Sequence, residues 1–346
     1  MYAQPFLKLP AIGETKFLLI IGVVLIHCNV CNDIVNNADV SLFGFRAVNF
    51  VSTVICSCCV PDFYAISAIL FFNGISKFTF PVYLSKLKRR VKTLLIPYIF
   101  WCTLCALFLY IKHKYFHMSG LGIFPDDGGV NWVIFFKGYI YISEANFMPY
   151  AFAFWFIRNL MVFVVLSPVA WVIGRNWLLT VLLFICSVIF DINLFGFEWF
   201  VVGTFLIHNR FILKTISHKG IIIASVVFWL SAYIISCNNL YNHLSPLLVL
   251  SGLYLVYSAG LLLKRLNNNH FVRTLISSTF MIYAVHQCFC TKVRLFWLQV
   301  LGTTTSADII ISYIASFVTL LGASVIVYII TKRISPRFLS IITGGR

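Results

Sequence analysis

Two residues near the start of the chain, Lys16 and His27, stand eleven positions apart in the otherwise apolar run KFLLIIGVVLIH. An ionisable side chain inside a bilayer-length apolar run is costly unless it lines a cavity, meets a partner or does chemistry. Imidazole changes charge near neutral pH, so His27 is a candidate general base; the plainer reading is a polar residue bonding a neighbouring helix. Helical rise puts it about 16 Å along the axis from Lys16, near mid-membrane if Lys16 marks the inner face. In the next apolar run, CVPDFYAISAILFFN, Asp62 stands eleven residues before Asn73, which predicts the depth of His27. A carboxylate there would fix the imidazole tautomer and raise its basicity. Alternatively, Asp62 is protonated, or it bonds backbone that Pro61 leaves unpaired.

The densest basic cluster, YLSKLKRRVKTLLIPY, contains Arg89, Arg90 and Lys92. Such a cluster at a membrane surface suits a polyphosphate ligand such as coenzyme A, anionic lipid head groups, or topology alone. Arg158 in FWFIRNL, Glu198, and His286 in FMIYAVHQ fall in the outward halves of apolar runs. The cost of an intramembrane guanidinium favours a bundle-facing role for Arg158, whereas a lone His286 is more often a packing residue. Cys28 and Cys31 beside His27, with Cys56, Cys58 and Cys59, raise the question of zinc. Most of the eleven cysteines lie in apolar helices as small hydrophobes, and no second ligand cluster of recognisable spacing completes a site, so no metal is expected.

The elements that must position these residues are membrane helices. The chain of 346 residues is 61% hydrophobic and only 10% charged, against roughly 25% charged in soluble domains. It reads as one integral membrane domain, 1–346, of all-α class. Apolar runs near 16–32, 46–74, 93–112, 149–173, 177–190, 194–208, 220–236, 245–263, 274–291 and 308–331 predict about ten transmembrane helices. The fifth and sixth are short and separated by Asp191 to Asn193, which also allows a re-entrant hairpin. Lys16–Val30 reads as a retained span and not a cleaved signal peptide. The net charge of +16 would suggest nucleic acid in a soluble protein. Here 19 of the 26 Lys and Arg fall on one side when the spans alternate, which predicts both termini in the cytoplasm and no nucleic-acid partner. The long outer segment 113–148 contains FPDDGG and the aromatic stretch NWVIFFKGYIYI, read as an interfacial helix roofing the bundle. No internal repeat is evident, which counts against an inverted-repeat transporter.

Five features in order resemble acyltransferase family 3, bacterial membrane enzymes that mostly O-acetylate surface and secreted glycans. They are Lys16 with His27; VPDFYAISAILFF; RRVKTLLIPYIFW; FWFIRNL; and STFMIYAVH. The resemblance implies that His27 is essential to acyl transfer, that Arg89 and Lys92 handle the acyl donor, and that Ser67 is the family serine. Departures are Lys16 and Lys92 in place of arginine, Ala68 in place of glycine, and a carboxylate at Asp62 where many members carry one at the position of Pro61. The implied activity moves an acyl group, acetyl in the first instance, from cytoplasmic acyl-CoA, expected to be acetyl-CoA, to a hydroxyl of a surface or cell-envelope glycan or its lipid-linked precursor. The implied location is the bacterial inner membrane. On this reading Lys16, Arg89, Arg90 and Lys92 lie on the donor side, His27 and Asp62 at the chemistry, and Ser67, Trp155, Arg158, Glu198 and His286 toward the acceptor. A non-catalytic transporter or flippase for the same glycan or precursor is the competing expectation, followed by a structural subunit of a polysaccharide assembly.

Overall fold

The computed structural model describes residues 9–35, 39–117, 123–124, 129–142, 147–190, 194–209, 216–238, 241–266 and 269–345. Within them all regular structure is helical and no strand occurs. A helix stands at each of the ten apolar runs, but among the described residues six helices are long and apolar enough to cross a membrane: Ile12–Ile34, Phe43–Phe72, Phe80–Phe116, His218–Cys237, Leu244–Arg265 and Ser306–Ile334. A seventh crossing is counted if Phe152–Val165 and Ser167–Arg175 form one broken span bent by 71°. The bend falls within the 149–173 run, which the apolar pattern gives as one helix. Pro168, in the first turn after the break, has no N–H to continue the ladder, and Leu166 leaves helical geometry between the two segments. The segment Asp191–Asn193 and the FPDDGG stretch from Pro125 to Gly128 lie outside the described residues.

The helices form two compact units, Met1–Phe80 with Leu166–Val327, and Pro81–Val165 with Tyr328–Arg346. In the first, the Ile12–His27 helix packs against Phe43–Phe72, Tyr241–Arg265 and Thr279–Leu301. Small residues let these backbones close up. A β-carbon on Gly260 would sit 2.6 Å from the Thr15 hydroxyl, and one on Gly22 would overlap the Cys59 thiol. Between lipid-facing helices such close packing supplies the attraction that water supplies in a soluble core. The Phe43–Phe72 helix packs on Phe197–Asn209 through Gly203, whose missing β-carbon makes room for the Ala65 backbone. Ala68 is fully buried on the same helix. An aromatic cluster of Phe71, Phe72, Phe78, Trp171 and Phe200, with ring centroids 4.9–6.4 Å apart, closes that end of the unit.

In the second unit, Phe80–Phe116 is a continuous helix that opens with the amphipathic segment Phe80–Arg90, none of whose residues is buried. Trp101 donates its indole N–H to the Ile342 carbonyl at 3.1 Å, fastening the C-terminal helix Pro336–Thr343. The aromatic stretch forms a six-residue helix, Trp132–Lys137, capped by the Asn131 side chain. Trp132 on it is 61% exposed.

The Gly203 contact is testable. Gly203→Val should lower thermal stability in detergent by about 1–3 kcal/mol, the usual cost of overpacking. Gly322→Ala, whose β-carbon meets nothing within 4 Å, should leave the midpoint unchanged or slightly raised. Equal midpoints for the two variants would contradict the close approach.

Candidate active site

The first helix stops at His27, short of the expected 16–32 run. Its last turn tightens, with Cys28 N–H bonded to Val24 O at 2.9 Å and Asn29 N–H to Ile26 O at 3.3 Å. Asn29 then redirects the chain: its side-chain oxygen accepts from Cys31 N–H at 3.0 Å, and its amide donates to Asn49 at 2.8 Å. A helix end inside a bundle leaves carbonyls without intrahelical partners, and here side chains from other helices supply donors. Leu25 O accepts from the Ser52 and Tyr313 hydroxyls at 3.3 and 3.2 Å. His27 O accepts from Arg294 Nη1 at 2.5 Å and from the Cys290 thiol at 2.8 Å.

Arg294 is itself gripped by Asp33, with Nε to Oδ2 at 2.6 Å and Nη2 to Oδ1 at 3.0 Å. Both side chains are nearly buried, 12% and 14% exposed. The two-point geometry matches the planar guanidinium to a carboxylate, and its cation meets the negative end of the first helix dipole.

His27 and His286 come together as the sequence did not foresee, with ring centroids 5.2 Å apart and planes tilted by 45°. His286 is fully buried. Its Nδ1 lies 2.9 Å from Ile282 O, and because a carbonyl can only accept, the proton sits on Nδ1. That leaves Nε2 as a buried lone pair, with no hydrogen-bond donor among the described residues. A base held in this tautomer is ready to accept a proton from a hydroxyl brought to it.

Asp62 is not joined to His27. Its carboxyl group is fully buried, and neither oxygen has a hydrogen-bond partner among the described residues. The helix register explains the difference. Ser52 meets Leu25 and Cys59 meets Gly22, so Asp62 lies level with a point about 12 Å below His27 along the first helix. Anchoring both helices at their presumed inner ends, Lys16 and Asn73, had placed them level. The partners that hold His27 are instead Arg294, Cys290 and, through Arg294, Asp33.

Arg158 was expected to face the bundle and contact acceptor. Its guanidinium donates to the carbonyls of Ile140 and Phe147 at 2.7 and 2.6 Å and to Asn159 Oδ1 at 3.0 and 3.2 Å. It also lies over the Phe147 ring at 5.6 Å, so its described contacts order the segment before its own helix. Trp155 opens that helix. Glu198 sits in the first turn of Phe197–Asn209, half-buried, with one carboxylate oxygen buried and without a partner. Ser67 is half-buried midway along Cys59–Phe72, and Lys16 is half-buried in the second turn of the first helix. Arg89 and Lys92 are exposed and Arg90 is half-buried, all in the second unit.

The acyltransferase 3 family model, an acyltransferase domain, matches residues 15–333, from the residue before Lys16 to the end of the last long helix. The chain belongs to the acyltransferase 3 family. No curated protein and no solved structure matches it in the other two comparisons. As a member of that family the protein is a membrane acyltransferase, and the two facing imidazoles are its best candidate for the reacting centre. No cluster of three or more potential metal ligands occurs among the described residues, and none of the cysteines is in a disulfide.

An idle buried carboxyl costs stability, since nothing in the protein repays its desolvation. Asp62→Asn should therefore fold with unchanged or higher thermal stability. A loss of more than about 1 kcal/mol in detergent unfolding would reveal a hydrogen bond that this placement lacks.

Proposed function

We propose that this acyltransferase 3 protein moves an acyl group, acetyl in the first instance, from cytoplasmic acyl-CoA to a hydroxyl of a cell-envelope glycan or its lipid-linked precursor. Besides the family, the observation that carries the reading is the facing pair of half-buried His27 and fully buried His286, with the tautomer of His286 fixed and its Nε2 bare among the described residues. In direct transfer, the acceptor O–H gives its proton to an imidazole nitrogen while its oxygen bonds the thioester carbon. The carbon–sulfur bond then breaks, and the departing thiolate takes up the proton as coenzyme A thiol. In the two-step route a His27 nitrogen bonds the thioester carbon and expels the thiolate; the acceptor oxygen then displaces the acyl group from His27 while His286 takes its proton, which ends on the thiolate as coenzyme A thiol. Each route breaks one thioester and forms one ester.

The donor phosphates are assigned to Arg89, Arg90 and Lys92 on the ground of charge: phosphate recognition needs cations, and this is the densest cationic stretch. Ser67, Trp155 and Glu198 are assigned to the acceptor by residue type, because aromatic faces and polar groups suit a sugar. Ten crossings with both termini in the cytoplasm, in a bacterial inner membrane, complete the proposal. The supports are the 19 to 7 division of basic residues and the helix found at each of the ten apolar runs.

Detergent-purified protein given labelled acetyl-CoA should release or transfer the label, and a preparation that does neither would end the enzymatic reading in favour of transport. His27→Ala should lower turnover by a factor on the order of 10²–10⁴, the contribution of a positioned base, or more if the histidine carries the acyl group. Arg89→Ala with Lys92→Ala should instead raise the apparent KM for the donor with little change in kcat, because phosphate contacts are made equally in ground and transition states. Loss of turnover at normal donor affinity would remove the basic pair from the donor site. Cysteine-accessibility labelling should find 77–92 open only to the cytoplasm, and labelling from outside would invert the proposed topology.

A further inference from the structure

Three side chains spaced four apart on the Thr279–Leu301 helix, His286, Cys290 and Arg294, lie on one face and all meet a single residue of the first helix. His286 faces the His27 ring, while Cys290 and Arg294 hold the His27 carbonyl. Ring and main chain of one residue are thus referred to one rigid stripe. Arg294 can serve only if its own head is fixed. Asp33, two turns past His27 in sequence, supplies both oxygens for this, and Arg294 Nη1 lies 3.3 Å from the Cys290 sulfur.

We infer that Asp33 and Arg294 are positioning residues for His27: the ion pair locks the end of the first helix so that the imidazole stands at its working distance from His286. This rests on the acyltransferase reading for its consequence in turnover, but the locking itself is a property of the folded chain. Without Arg294, the His27 carbonyl loses a charge-assisted hydrogen bond and the helix end can fray. Without Asp33, the guanidinium loses the fork that aims it. The chemistry is sensitive to such loosening, because a misplacement of 1 Å at a reacting group costs about 10²-fold in rate.

Two measurements test the clamp. The first needs no activity: carbethoxylation of His27 by diethyl pyrocarbonate, followed by mass spectrometry on the detergent-purified full chain. Arg294→Ala and Asp33→Ala should each raise the rate at His27 by about tenfold, the weight of one hydrogen bond to a charged group. The double variant should rise no further, since the two residues act as one unit. Arg294→Lys, which keeps the charge and loses the fork, should fall between. Unchanged rates, or effects that simply add in the double variant, would overturn the clamp. The second measurement is transfer from labelled acyl-CoA. There kcat should fall by about 10²-fold in Arg294→Ala with donor KM within about twofold of wild type, and added guanidinium should restore part of it. A normal kcat, or a rise in donor KM alone, would overturn the positioning role. If wild type itself transfers nothing, the enzymatic reading falls and the carbethoxylation result still decides the clamp. Asp33→Asn, which preserves volume, replaces any variant that fails to fold.

Discussion

A helix that ends inside an apolar bundle must find donors for its last carbonyls, and where no water is at hand the donors have to come from other helices. The end of the first helix meets this demand twice, with Ser52 and Tyr313 at Leu25 and with Arg294 and Cys290 at His27. Much of the first unit follows from it. The helices that carry these donors are drawn to one point, and the two imidazoles are brought face to face there. An arginine would be expensive in this setting, and Asp33 makes it tolerable.

Much of this site was visible in the sequence as parts and little of it as an arrangement. His27 stood out because a polar residue in an apolar run needs a reason, and His286 stood out for the same reason. Their proximity did not, since periodicity gives a residue's face and approximate height on its own helix but no relation between helices. Asp62 shows how such a height can mislead. Its depth was counted from Asn73 as though that residue were level with Lys16, but the Cys59 to Gly22 packing slides one helix past the other. Arg294 was read only as an outward charge in the topological balance. The spacing His286, Cys290, Arg294 was the available signal, because residues four apart share a helix face.

The ten apolar runs were legible, as was the all-helical class, because hydrophobicity and the need to pair every backbone group leave few choices in a membrane. Less legible were the interruptions. The 71° bend at Leu166 depends on Pro168 acting within a particular packing, and the tie from Arg158 to the carbonyls of Ile140 and Phe147 joins residues far apart in sequence. The lost glycine at Ala68 was a local departure with a nearby counterpart, because Gly203 on the facing helix allows close approach at Ala65.

The hold on the first helix is exerted through main-chain oxygens of Leu25 and His27, not through their side chains. Every amino acid carries the same carbonyl, so the identity of residue 25 is almost invisible to the hydroxyls of Ser52 and Tyr313. Mutation can therefore explore the walls around the imidazole while the frame that aims it stays in place. A scaffold of this kind can change what it modifies by small steps, without having to reinvent the chemistry each time.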